Sequence, residues 1–229
     1  NQNCGSTSPD FLKEEIMKGS YDIGIAFDGD GDRILVVDSE GEILDGDDIL
    51  YILSNNIPPD SGVIGTLMTN KALEIYFEKN DIPFLRADVG DKYVLQRLLE
   101  KSWILGGEPS GHIICLDSAP TGDAIIAAIK FLEAYVCSNL PLKDLLKPLV
   151  KYPQILVNLK TDNPEKILKN KSFKKLVNET LKKLEKHDGR VNVRASGTES
   201  MIRIMVESKN EKETQLASKN LANFAKKLT

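Results

Sequence analysis

Asp28-Gly29-Asp30-Gly31-Asp32-Arg33 sets three carboxylates at alternate positions, with glycines between them that let the backbone turn sharply. Three aspartates left unpaired so close together would repel one another. Carboxylate oxygens are hard donors, so the spacing of Asp28, Asp30 and Asp32 points to one divalent cation. A calcium loop of the EF-hand kind does not fit, because Arg33 stands where that loop needs glycine and its late bidentate glutamate is missing. A nucleophilic aspartate pair would leave the third aspartate without a role. An acidic turn with no ligand is the plainest alternative, and the repulsion argues against it.

Two further loops carry chemistry. Gly107-Glu108-Pro109-Ser110-Gly111-His112 gathers a carboxylate, a hydroxyl and an imidazole within five residues, a set suited to sugar hydroxyl or amino groups. Taken alone it also reads as ordinary turn chemistry. Arg194-Ala195-Ser196-Gly197-Thr198-Glu199, with Arg203 beyond it, offers hydroxyls, backbone N–H groups around Gly197 and guanidinium forks. Those are the parts of a cradle for a phosphate dianion, and the arginine fork can bond two phosphate oxygens at once. A polar hairpin without a ligand is the competing reading.

The elements that must hold these loops follow from periodicity. Short apolar runs at Tyr21–Phe27 and Ile34–Val37 flank the acidic loop. Helical patterns at Asp47–Asn55, Lys71–Lys79 and Asp91–Lys101 alternate with extended runs at Val63–Met68, Pro83–Ala87, Trp103–Leu105 and Ile113–Leu116. Strands separated by helices predict an α/β fold with a mixed or parallel sheet. Thr121 is expected to cap a helix whose Ile125, Ile129, Leu132 and Val136 face inward. Between Pro141 and Pro153 the pattern changes. Beyond it a strand at 155–159, a helix through Phe173, Leu176, Val177, Leu181 and Leu184, strands at 191–193 and 202–206, and a closing helix through Ala217, Leu221 and Phe224 predict a separate C-terminal α+β domain. The lysines of 169–175 read as a solvated helix face.

The 229 residues are 41% hydrophobic, enough for a real core, and no apolar run approaches the roughly 20 residues that span a bilayer. A net charge of -4 gives no reason to expect nucleic acid. Three scattered cysteines argue against a disulfide framework and for a reducing, cytoplasmic setting; with two histidines they also make a zinc site a poor fit. The chain begins at Asn1, not methionine, which reads as a processed chain or a piece of a longer one.

In this order, the three loops resemble those of the α-D-phosphohexomutase family. Asn3-Cys4-Gly5-Ser6-Thr7, Val89-Gly90-Asp91-Lys92-Tyr93-Val94 and Thr121-Gly122-Asp123 add to the likeness. The resemblance implies residues 1–45 as the C-terminal half of the family's second domain, 46–150 as its third and 151–229 as its fourth. It implies Mg2+ on Asp28, Asp30 and Asp32, with Arg33 steadying the loop or a phosphoserine. Glu108, Ser110 and His112 would read the sugar, with Asp91 and Lys92 in the same cleft, and Arg194, Ser196, Gly197, Thr198 and Arg203 would take the substrate phosphate. The implied partners are a hexose or hexosamine phosphate, a hexose bisphosphate and the missing N-terminal domains. The sugar stays open among the glucosamine, glucose and mannose phosphates. The family's third loop ordinarily closes in proline where Ser200 stands here. Its phosphoserine, in a Ser-His-Asn-Pro context, has no counterpart in these residues, so a non-catalytic sugar-phosphate binder is the rival reading and the chain alone is expected to be inactive.

Overall fold

The computed structural model describes residues 2–197 and 199–228. The chain divides into two compact units, Asn1–Val150 and Lys151–Thr229. In the first, α1 (Asp10–Lys18) leads to an antiparallel sheet of β1 (Ile23–Phe27), β2 (Ile34–Asp38) and β3 (Ile43–Leu44). Then follow α2 (Gly46–Ser54), β4 (Val63–Thr66), α3 (Lys71–Lys79), β5 (Phe84–Ala87), α4 (Asp91–Lys101), β6 (Leu105–Gly107), β7 (Ile113–Cys115), α5 (Ala124–Ser138) and α6 (Leu142–Leu146). Their sheet has the order β5-β4-β6-β7; β4 runs parallel to β5 and β6, and β7 returns antiparallel.

Helix α2 is buried at every position, so its neighbours are fixed from all sides. Its start is set by Asp45, whose carboxylate accepts from the N–H groups of Asp47 and Asp48 while Asp48 reaches back to the Asp45 N–H, a reciprocal cap. Behind the parallel strands, Ile64, Ala87, Val94, Leu98 and Ile114 close a core against Leu95 and Trp103.

The second unit is an antiparallel sheet, β8-β10-β9, built from β8 (Gln154–Lys160), β9 (Arg190–Ala195) and β10 (Met201–Glu207). Helices α7 (Pro164–Lys169), α8 (Lys171–Glu185) and α9 (Glu211–Lys226) complete it. Ile202, Ile204 and Val206 pack with Phe173, Leu184, Leu221 and Ala225, while the alternate residue Arg203 points away from that core. Among the described residues no helix is long and apolar enough to cross a membrane.

Two expectations are corrected at α5. Its cap is Asp123, which accepts from the N–H groups of Ile125 and Ile126, and not Thr121. The inward face is made of Ala124, Ala127, Ala128, Phe131 and Ala134, whereas Ile125, Ile129 and Val136 are each at least 60% exposed. The helix is apolar nearly all round, so periodicity alone could not choose its face. Close packing on the sheet and α2 selected the small residues.

Candidate functional site

The acidic loop joins β1 to β2 as a tight hairpin, with the Asp28 N–H donating to the Arg33 carbonyl at 3.3 Å. Gly31 sits at φ +74°, a left-handed conformation that brings the flanking aspartates round. Oxygens of Asp28, Asp30 and Asp32 all lie within 4.8 Å of one another, close enough to share one hard cation. Asp28 is the buried member. Its Oδ1 accepts from the N–H groups of Asp32 (3.1 Å) and Arg33 (3.0 Å), and its Oδ2 accepts from the Arg33 guanidinium. Burial alone would push the Asp28 carboxyl up, but the Arg33 N–H and guanidinium outweigh it and hold it at about 2. Asp28 is therefore charged, and ready for a cation, across the physiological range. Asp30 is exposed and makes no hydrogen bond among the described residues, which leaves its carboxylate available.

The second loop is built directly against the first. Arg33 and His112 form an antiparallel bridge, and the Ile34 N–H donates to the Gly111 carbonyl at 3.0 Å. His112 is buried, with Nδ1 3.1 Å from Asp32 Oδ2; since a carboxylate can only accept, the proton is on Nδ1. Nε2 faces Gly122, where an added Cβ would stand 2.2 Å from it. Thus His112, expected to read the sugar, contacts an aspartate of the acidic cluster. Ala124 N–H donates to the Gly31 carbonyl at 3.0 Å, so the start of α5 braces the same loop.

Glu108 and Ser110 sit at the β6–β7 turn, beside the C-terminal ends of parallel strands where ligands of α/β sheets gather. Glu108 is half-buried and Oε1 accepts from the Gly90 N–H at 3.0 Å, tying this turn to the loop that carries Asp91 and Lys92. Ser110, Asp91 and Lys92 are exposed, with the Lys92 ammonium 4.7 Å from the Tyr93 ring centroid. The residues missed in the sequence are the ones that hold this assembly together. Gly46 donates to the Pro109 carbonyl, and a Cβ there would meet the Glu108 oxygen at 1.9 Å. Asp47 accepts from the Asn70 N–H at 2.8 Å, fixing the turn after β4. The Asp45-to-Asp48 capping pattern was a readable signal of where that helix begins.

The third loop lies in the second unit, between β9 and β10. Arg194 and Arg203 are directly opposite one another in the ladder. Like charges placed directly opposite one another are unfavourable in themselves. Arg203 Nη2 reaches Glu199 at only 3.5 Å. The Ser196 N–H donates to the Met201 carbonyl, and Gly197 is exposed with no atom within 4 Å of where a Cβ would be. Thr198 lies outside the described residues.

The α/β unit thus carries a carboxylate cluster in its β1–β2 hairpin, and the α+β unit carries two arginines opposite one another at the β9–β10 hairpin. The chain belongs to the phosphoglucomutase/phosphomannomutase family: the model of the family's alpha/beta/alpha domain III matches residues 45–152 and that of its C-terminal domain matches 156–223. A phosphoglucosamine mutase of Acinetobacter baumannii is 48% identical over 226 residues, covering 97% of this chain and 50% of that protein. One from Legionella pneumophila is 44% identical, covering 100% of this chain and 52% of that protein. The chain thus spans about half the length of the curated relatives it matches. Among solved structures, the fold is shared with Aspergillus fumigatus N-acetylphosphoglucosamine mutase in complex with GlcNAc-6P and magnesium, at a TM-score of 0.75, 19% identity, and coverage of 96% of this chain and 56% of that one. A phosphoglucomutase/phosphomannomutase family protein of Burkholderia thailandensis also has a TM-score of 0.75, at 20% identity, covering 96% of this chain and 50% of that one.

Proposed function

We propose that this chain is the C-terminal portion of a cytoplasmic phosphoglucosamine mutase, an enzyme that moves phosphate between the 6 and 1 positions of glucosamine. The observation that supports it most is the joining of the acidic cluster to the Glu108–His112 turn through the Asp32–His112 and Ile34–Gly111 hydrogen bonds. A protein that merely held a sugar phosphate would not need that metal-type cluster fastened to its sugar-type turn. The relatives named phosphoglucosamine mutase support the choice of sugar. On this reading residues 1–45 complete the domain that precedes 46–150, and 151–229 form the last domain.

The three aspartates fit Mg2+, which when bound would offset charge building on a transferring phosphoryl group. The protein's own residues do the rest. Arg33 keeps Asp28 ionised and in place, and His112 aims Asp32. Glu108 and Ser110 hold sugar hydroxyls, with Asp91 and Lys92 beside them. Arg194, Ser196, Gly197, Thr198 and Arg203 hold the phosphate that is not reacting, so that a hexosamine bisphosphate can be bound in either orientation. The nucleophilic serine and the chain that carries it are the partners this portion requires.

Two measurements test the assignments. Asp30→Ala should abolish the heat of magnesium titration while leaving circular dichroism unchanged, because the Asp30 side chain is exposed and makes no hydrogen bond or salt bridge among the described residues. Equal heats in parent and variant would remove the acidic loop from the metal site. Arg203→Ala should weaken binding of glucosamine 6-phosphate at least tenfold, since a charge-assisted bond contributes about 1.5–3 kcal/mol. Unchanged affinity would place the phosphate elsewhere. If mannose 6-phosphate or glucose 6-phosphate were held more tightly than the amino sugar, the choice of sugar would be wrong and the family reading would stand.

A further inference from the structure

A cavity of about 370 Å³ opens on the first unit away from the site above. Its lining residues Cys115 and Asp117 lie at and beyond the far end of β7, whereas His112 precedes that strand. The floor is apolar: Leu53, Ile57, Ile104, Leu105 and Cys115. Burial pushes the Cys115 thiol up to about 11, so it stays protonated and the floor is chemically inert. The volume is that of a small-ligand pocket.

The rim is charged and unbalanced. Lys130 donates to Asp117 at 2.8 Å, and Ser118 donates to the other Asp117 oxygen at 3.2 Å. That pair neutralises itself. Glu133, one turn along α5 from Lys130, has no hydrogen bond or salt bridge among the described residues and stands exposed at the rim. Helix α2 ends at Ser54, and Asn56 and Ile57, just past that end, also line the cavity. Two carboxylates, Asp117 and Glu133, against one ammonium, Lys130, leave a negative rim over an apolar floor.

We infer that this cavity between α2 and α5 is a binding site for a small organic cation, an ammonium carried on an apolar body, with Glu133 as the charge that receives it. The apolar part fills the space over Leu105 and Cys115, and the ammonium takes the exposed rim beside Glu133, whose charge otherwise acts only at a distance on Lys130 among the described residues. The site is independent of the metal loop and of the proposed mutase activity.

Phenethylammonium is the probe, with 2-phenylethanol and 3-phenylpropionate as neutral and anionic comparators of similar shape. Titration of the 15N-labelled chain should shift amides around Leu53–Ile57, Leu105 and Lys130–Cys137, with the ammonium bound tightest and the carboxylate weakest. E133Q should weaken the ammonium about fivefold, the size of one exposed charge contact, and leave the alcohol unchanged. C137W, at the exposed rim, should close the mouth and abolish binding of all three. Equal affinity for alcohol and ammonium, no saturable shift at millimolar probe, or full binding by C137W would each overturn the assignment. None of these outcomes bears on the magnesium titration, so this inference and the mutase reading can fail separately.

Discussion

Gly111→Ala is expected to destabilise the first unit by about 3 kcal/mol and to weaken magnesium binding with it. Gly111 has φ +91°, where an L-residue is strained by roughly 1–3 kcal/mol. Its missing Cβ also faces the Ile34 carbonyl oxygen at 2.0 Å and the Ile34 N–H at 3.2 Å. Those are backbone atoms of the strand leaving the acidic loop, so relief requires the two loops to separate. Separation breaks the Ile34–Gly111 hydrogen bond and pulls His112 off Asp32. Gly31→Ala is the control. It shares a positive φ of +74° but has nothing within 4 Å, so only the backbone strain of about 1–2 kcal/mol applies. The single tryptophan, Trp103, reports on the first unit alone, and urea midpoints by its fluorescence give the comparison. Equal losses in the two variants would mean that the loops are not wedged together as described.

The order of elements was legible because the sequence marks its turns with glycine, proline and Asx residues. Lys71–Lys79 and Asp91–Lys101 begin and end where the pattern placed them. The acidic loop was legible for a different reason: alternate aspartates separated by glycines leave few alternatives to convergence, and their oxygens do converge. What could not be read was which face of a helix apolar nearly all round is buried, since that depends on how closely a neighbour approaches. At α5 the alanines and Phe131 went inward and Ile125, Ile129 and Val136 outward. Helix α1 was missed altogether, because Asp10–Lys18 has a single buried residue, Ile16, and too little apolar signal to stand out. The couplings among loops were equally hidden. Nothing in the order of residues says that Glu108 accepts from Gly90, which needs β4, β5 and β6 side by side, or that His112 lies on Asp32 eighty positions away, which needs the acidic loop bridged to the β6–β7 turn.

The 229-residue chain on its own is expected to give no conversion of glucosamine 6-phosphate to the 1-phosphate, however complete its metal and sugar loops. On the proposed mechanism the phosphoryl group must rest on a covalent carrier between two transfers, or water would take it. No Ser-His-Asn-Pro stretch occurs in these residues, and the serines that stand near the chemistry are poor substitutes. Ser110 is exposed, and the imidazole two residues on is committed: His112 gives Nδ1 to Asp32, and its Nε2 is walled by Gly122. Ser196 lies in the loop that the distal phosphate would fill. Electrostatic stabilisation without a nucleophile has no bond to make, so preparing the charges perfectly yields binding and no turnover. The assay follows glucosamine 1-phosphate in the presence of magnesium and the bisphosphate primer, with the chain made in a host whose own mutase has been removed from the preparation. Adding the N-terminal half of the Acinetobacter baumannii relative should restore turnover, and the same half with its nucleophilic serine changed to alanine should not. Turnover by the 229 residues alone would show that the carrier lies within them, with Ser110 and Ser196 the first positions to test for phosphate.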